Sequence, residues 1–141
     1  MRKSMSFIKY PFLSGFAILL LIYLSFFKPP SMNEYRFFEH LDKIVHFFMY
    51  CEVASALWFD YLRTHKNKMN KGYIIAFVFP ILLGGVFELF QEYLTTYRGG
   101  EWLDFLANTL GVFGALIVAR YVLQPLLNKY SFLRTNLKTD K

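Results

Sequence analysis

Residues 73–111, YIIAFVFPILLGGVFELFQEYLTTYRGGEWLDFLANTLG, decide how the rest of the chain is read. Residues 73–94 carry no charge before Glu88. As a helix rising about 1.5 Å per residue they reach roughly 33 Å, enough to cross the hydrocarbon layer of a bilayer. Pro80 and the pair Gly84-Gly85 predict a bend or a close approach by a neighbour. A further apolar run begins at Trp102. At the facing ends of the two runs, and between them, lie Glu88, Gln91, Glu92, Arg98, Asp104 and Asn108. A carboxylate below the membrane interface is costly unless it is paired or protonated, so an acid there is a functional candidate by default.

Working outward, apolar runs recur. Residues 11–27 are uncharged and follow a basic stub; as a helix they reach roughly 25 Å. Ser25, Phe26 and Phe27 offer no small-x-small cleavage site, so a retained first span is expected rather than a secretory signal. Lys28, Pro29 and Pro30 stop that helix. Residues 31–41 mix Tyr35, Phe37 and Phe38 with charges, as suits a segment lying at the membrane interface. A second span is expected over 43–62, with Trp58 and Tyr61 as interfacial anchors, followed by a basic turn over 63–72. The third is 73–94. The fourth runs from 102 to about 124, where Pro125 ends or kinks it. The fold class is therefore an all-α membrane protein, one domain over residues 1–141, arranged as an antiparallel four-helix bundle.

Composition agrees: 55% hydrophobic residues, with seventeen Phe and ten Tyr, exceed what a water-soluble domain of this size carries. The net charge of +6 does not indicate nucleic acid, because the bases lie between apolar runs rather than on an amphipathic frame. The single Cys51 excludes an intramolecular disulfide and any multi-cysteine metal site, and reads as a small core residue. Most Lys and Arg fall in the N-terminal stub (Arg2, Lys3, Lys9), the second connection (Arg63, Lys66, Lys68, Lys71) and the C-terminal end (Arg120, Lys129, Arg134, Lys138, Lys141). With four spans these share one side, which predicts a plasma (inner) membrane protein with both termini cytoplasmic. The other side receives Lys28, Arg36, Lys43 and Arg98 against seven acids, Glu34, Glu39, Asp42, Glu88, Glu92, Glu101 and Asp104.

Counting turns sorts the polar residues of that acidic side into two layers. Asp42, Asp104, Gln91 and Glu92 lie at helix ends, while His46, Asn108 and Glu88 lie roughly 5–6 Å deeper. At about 100° per residue, Asp42 and His46 share a stripe of helix 2, Asp104, Asn108, Gly111 and Ala115 a stripe of helix 4, and Gly84, Glu88 and Gln91 a stripe of helix 3. The helix 4 stripe, polar above and small below, is expected to pack closely on a neighbour. Asp42 also fits an N-cap, Asp104 and Glu101 fit the positive end of helix 4, and Asn108 and Gln91 fit interhelical hydrogen bonding. His46 and Arg98 are the expected partners of Glu88. Glu52 lies off the polar stripe near mid-membrane, within reach of Tyr23, Tyr50 or another protomer.

The ordered set Asp42-Lys43-x-x-His46-Phe47-x-x-Tyr50, Glu88-x-x-Gln91, Arg98 and Asp104-x-x-Ala107-Asn108-x-x-Gly111 resembles the VanZ family of small membrane proteins, named for a member associated with low-level teicoplanin resistance. The resemblance covers residues 42–118. It implies a cell-envelope function and adds Lys43 and Tyr50 to the pocket residues already named.

Three functions fit. The first is an extracytoplasmic pocket that engages an envelope lipid, a lipid-linked precursor or a glycopeptide, with Arg98 and the Gly99-Gly100 turn holding an anionic group. The second is a membrane-embedded hydrolase or transferase, with His46, Glu88 and Asp104 as catalytic candidates; it lacks any nucleophile motif. The third is a structural or transport subunit. No cofactor is expected; the fallback metal ligands are His46, Glu88 and Asp104, with His40 beside them. The bilayer is the expected partner, nucleic acid is not, and homo-oligomers are compatible with all three.

Overall fold

Each of the four apolar runs forms a helix in a computed structural model that describes residues 11–26, 41–65, 69–94 and 101–130. Helix α1 spans Phe12–Phe26, α2 Leu41–Thr64, α3 Ile74–Leu94 and α4 Trp102–Tyr130, and no strand occurs among the described residues. Helices α3 and α4 are long and apolar enough to cross a membrane. Only 33% and 22% of their apolar windows are buried, whereas the core helix of a water-soluble domain would be mostly covered. Phe12, Leu19, Ile74, Leu82 and Tyr121 are each more than half exposed, an outer surface that water would oppose and hydrocarbon would not.

Two prolines shape the long helices in the same way. Proline has no N–H, and its ring crowds the carbonyl four residues back. Before Pro80 the chain widens into a π turn over Ile74–Val78, and Phe79 N–H reaches back five residues to the Ile74 carbonyl. Before Pro125 a π turn over Ala119–Leu123 ends with Gln124 N–H on the Ala119 carbonyl. Each widened turn lets the helix pass its proline. Pro125 therefore does not end α4, which continues to Tyr130, six residues beyond the expected boundary.

Helix α2 is the hub, packed chiefly on α4 and then on α1. The small stripe of α4 makes the first contact possible. A Cβ on Gly111 would collide with the Phe47 carbonyl, while Ala115 and Ala119 are fully buried. Cys51, expected as a small core residue, is half-buried and packs beside Gly114 at the margin of the core. Trp58 and Tyr61, read from sequence as interfacial anchors, are instead buried. They pack edge to face with each other, Trp58 also meets Tyr73 edge to face, and a Cβ on Gly72 would lie 2.5 Å from Trp58. The glycine after the connection lets the chain close over both rings.

Polar contacts show which helix ends meet. The start of α1 meets the end of α2 through Ser14 and Asp60. The end of α1 meets the end of α3, where Gln91 Nε2 donates to the Ser25 carbonyl at 3.0 Å and Phe26 stacks edge to face on Phe87. The start of α2 meets the start of α4 through Lys43 and Asp104. The interfacial reading of residues 31–41 falls almost wholly outside the described residues.

Candidate functional site

The periodicity that aligned Asp42 with His46 and Asp104 with Asn108 places all four at one end of the α2–α4 seam, and the last turns of α3 bring Glu88 against them. His46, Asp104 and Asn108 are each at most 2% exposed and Glu88 is 8% exposed. Groups this buried must be paired, and the pairing is specific. The Asn108 amide donates from Nδ2 to Glu88 Oε1 at 3.1 Å, which leaves its Oδ1 facing His46 Nδ1 at 2.9 Å. Because Oδ1 can only accept, Nδ1 carries the proton and donates. Glu88 Oε1 itself lies 3.6 Å from the same ring nitrogen. The other oxygen of Glu88 accepts from the backbone N–H of Glu101 at 3.3 Å, so this carboxylate ties the end of α3 to the entry of α4.

An upper layer covers that chain. Lys43 Nζ reaches Glu101 Oε2 at 2.8 Å and Asp104 Oδ1 at 3.2 Å. Asp42 Oδ1 lies 3.8 Å from His46 Nε2, the ring nitrogen turned away from Asn108. Leu41 is already helical, so Asp42 belongs to the first turn of α2 and is not its N-cap. Glu101 is the residue at the cap of α4, with extended backbone, and its side chain makes no capping bond.

Tyr50 lies one turn below His46 and is 1% exposed, yet its hydroxyl has no hydrogen-bond partner among the described residues. The Glu88 carboxylate is near enough to act on it electrostatically, and a Cβ on Gly84 would lie 3.2 Å from its ring. The phenol thus ends beneath the cluster as an unspent donor and acceptor.

Of the expected pocket residues, Asp42, Lys43, His46, Glu88, Asp104 and Asn108 come together, with Tyr50 below them. Gln91 serves the α3–α1 contact and enters none of the cluster's described bonds. Arg98, His40 and the Gly99-Gly100 turn lie outside the described residues. The ligand-bearing atoms that converge are those of Asp42, His46 and Asp104, all within 4.8 Å of one another. This differs from the fallback set by exchanging Glu88 for Asp42. Glu52 is exposed and lines a shallow groove with Leu13, Phe16, Ser55 and Leu123; Tyr50 does not bond it.

A second polar cluster had no place in the sequence reading. Asp60, 4% exposed, accepts from the backbone N–H and the hydroxyl of Ser14, both at 2.9 Å, and from Arg63 at 3.1 Å. Its carboxylate caps the Ser14 amide in the first turn of α1. The available signal was the i, i+3 pair Asp60–Arg63 at the end of a predicted span. Compared with known proteins, the chain matches no family model, no curated protein and no solved structure.

Proposed function

We propose that this chain is a four-span membrane protein, an antiparallel bundle with both termini cytoplasmic. Its extracytoplasmic end would bind the polar head group of an envelope amphiphile, whether a lipid, a lipid-linked precursor or a glycopeptide. The observation that carries the reading is the cluster at one end of the bundle in which buried His46, Glu88, Asp104 and Asn108 are covered by the half-buried Asp42 and Lys43, with a Tyr50 hydroxyl beneath it that has no partner among the described residues. Structural glue alone needs no such surplus of acceptors. The resemblance to the VanZ family supports a cell-envelope role and the choice of Lys43 and Tyr50 as pocket residues. The excess of Lys and Arg at the opposite end supports the orientation.

The Glu88–Asn108–His46 chain also favours a second reading. A histidine whose Nδ1 proton is fixed by an oriented amide presents Nε2 for proton transfer, so hydrolysis or transfer at the bound head group is the alternative, with water as the nucleophile. Cross-linking of the purified protein with photoactivatable phospholipid and polyprenyl phosphate tests the primary reading. Adducts on residues 42–50, 84–91 or 101–108 are expected, and adducts confined to the apolar flanks of α1 and α4 would overturn it. Release of the labelled head group over time would favour the enzyme.

A further inference from the structure

We propose that Asp42, His46 and Asp104 hold a divalent transition-metal ion of the zinc or manganese kind, and that this ion is what lets an acidic site take an anionic head group. The inference rests on the head-group reading above and names the chemistry by which the site would recognise its ligand.

Geometry comes first. The three donor atoms lie within 4.8 Å of one another. Around a tetrahedral ion with bonds of about 2.0–2.2 Å the donors sit about 3.3–3.6 Å apart, so the widest separation needs to close by about an ångström, within reach of a side-chain rotation at the half-exposed Asp42. Two carboxylate oxygens with one imidazole nitrogen suit zinc or manganese better than the all-oxygen shell of calcium. Two of the three ligands are buried, while the Asp42 side chain is 42% exposed. An ion here would keep its remaining positions turned towards the outside, as a ligand-accepting site requires.

The histidine is also wired for the purpose. Glu88 orients the Asn108 amide, and the amide holds the proton on His46 Nδ1. In the neutral ring that leaves Nε2, on the side of Asp42, as the nitrogen with a lone pair. A metal-bound histidine typically has its second nitrogen hydrogen-bonded in this manner.

Charge points the same way. Among the described residues of this end, Asp42, Glu88, Glu92, Glu101 and Asp104 face one fixed cation, Lys43. By sequence the linker 27–40 is balanced, with Lys28 and Arg36 against Glu34 and Glu39, and 95–100 adds only Arg98. A net negative charge remains whatever those segments contact. It repels phosphate or carboxylate, whereas a divalent ion reverses the sign locally and bridges to an anionic oxygen. Lys43, which is 3.2 Å from Asp104 Oδ1, is the built-in competitor for that carboxylate.

Zinc titration of the full-length protein, stripped with chelator in detergent and followed by calorimetry and elemental analysis, tests the inference. One equivalent is expected in the wild type. Asp42→Asn, a change at a half-exposed position that leaves the core untouched, should weaken binding at least about tenfold, and His46→Gln at least as much. Glu52→Gln, which removes an exposed acid outside the cluster, should leave it unchanged. Absence of stoichiometric zinc, or wild-type affinity in Asp42→Asn and His46→Gln, would overturn the metal whether or not amphiphile cross-links form. One equivalent of zinc with no cross-link at the polar end would keep the metal and overturn the head-group reading.

Discussion

Asp60 and Glu88 are both carboxylates buried at helix ends, and both receive a backbone N–H from the start of another helix. Their surroundings differ in balance. Asp60 has three donors from two residues, including one guanidinium, and no second acid in its cluster among the described residues. Glu88 shares its space with Asp104, Asp42 and Glu101, against one lysine and one histidine, above a phenol that bonds nothing. A carboxylate matched by its donors reads as architecture, whereas a cluster with a surplus of acids reads as a site. Substitution should therefore act on stability at one end and on binding at the other.

The largest effect is expected at the balanced end. Asp60→Ala leaves the Ser14 amide and the Arg63 guanidinium without their acceptor, and should cost about 3 kcal/mol by thermal unfolding in detergent, with amphiphile cross-linking at the other end retained. Gly111→Ala comes next. Its Cβ meets the Phe47 carbonyl, which is backbone and cannot step aside, so α2 and α4 must separate. A loss of about 1–3 kcal/mol is expected, together with weaker cross-linking because the separation pulls His46 from Asn108. Tyr50→Phe should change stability least, by no more than about 0.5 kcal/mol in either direction, since the deleted hydroxyl bonds nothing. If it also leaves cross-linking untouched, the phenol takes no part in the site and the comparison loses one of its supports.

Much of this contrast was legible in the sequence, for physical reasons. Apolar runs long enough to span hydrocarbon became helices because the backbone's polar groups are then satisfied within each segment. The spacings Asp42–His46 and Asp104–Asn108 put each pair on one face, and the glycine and alanines below them let α2 and α4 close, so the cluster followed from local periodicity. What escaped depends on packing between distant segments. Asp60 and Ser14 are 46 positions apart and become partners only once α1 lies beside α2. Trp58 and Tyr61 carry the composition of interfacial residues, yet Gly72 brings the chain across them. Gln91 shares a stripe with Glu88 and is turned to α1 by its hydrogen bond to the Ser25 carbonyl. Pro125 reads as a stop because the widened turn that accommodates it is a backbone adjustment with no residue signature of its own.

The most direct test pairs two isosteric substitutions, Glu88→Gln and Asp60→Asn, each assayed for unfolding temperature and for cross-linking of photoactivatable amphiphile at the polar end. Glu88→Gln lowers the local negative charge, which favours folding, but offers one acceptor where the carboxylate offered two, so the tie to the Glu101 N–H and the hold on Asn108 and His46 loosen together. It should hold its unfolding temperature within about 2 °C or raise it, and lose at least about tenfold in cross-linking, equivalent to some 1.4 kcal/mol of binding. Asp60→Asn should do the opposite, melting earlier and cross-linking as the wild type does. Glu88→Gln that melts early while cross-linking normally would contradict the account and make Glu88 a second Asp60.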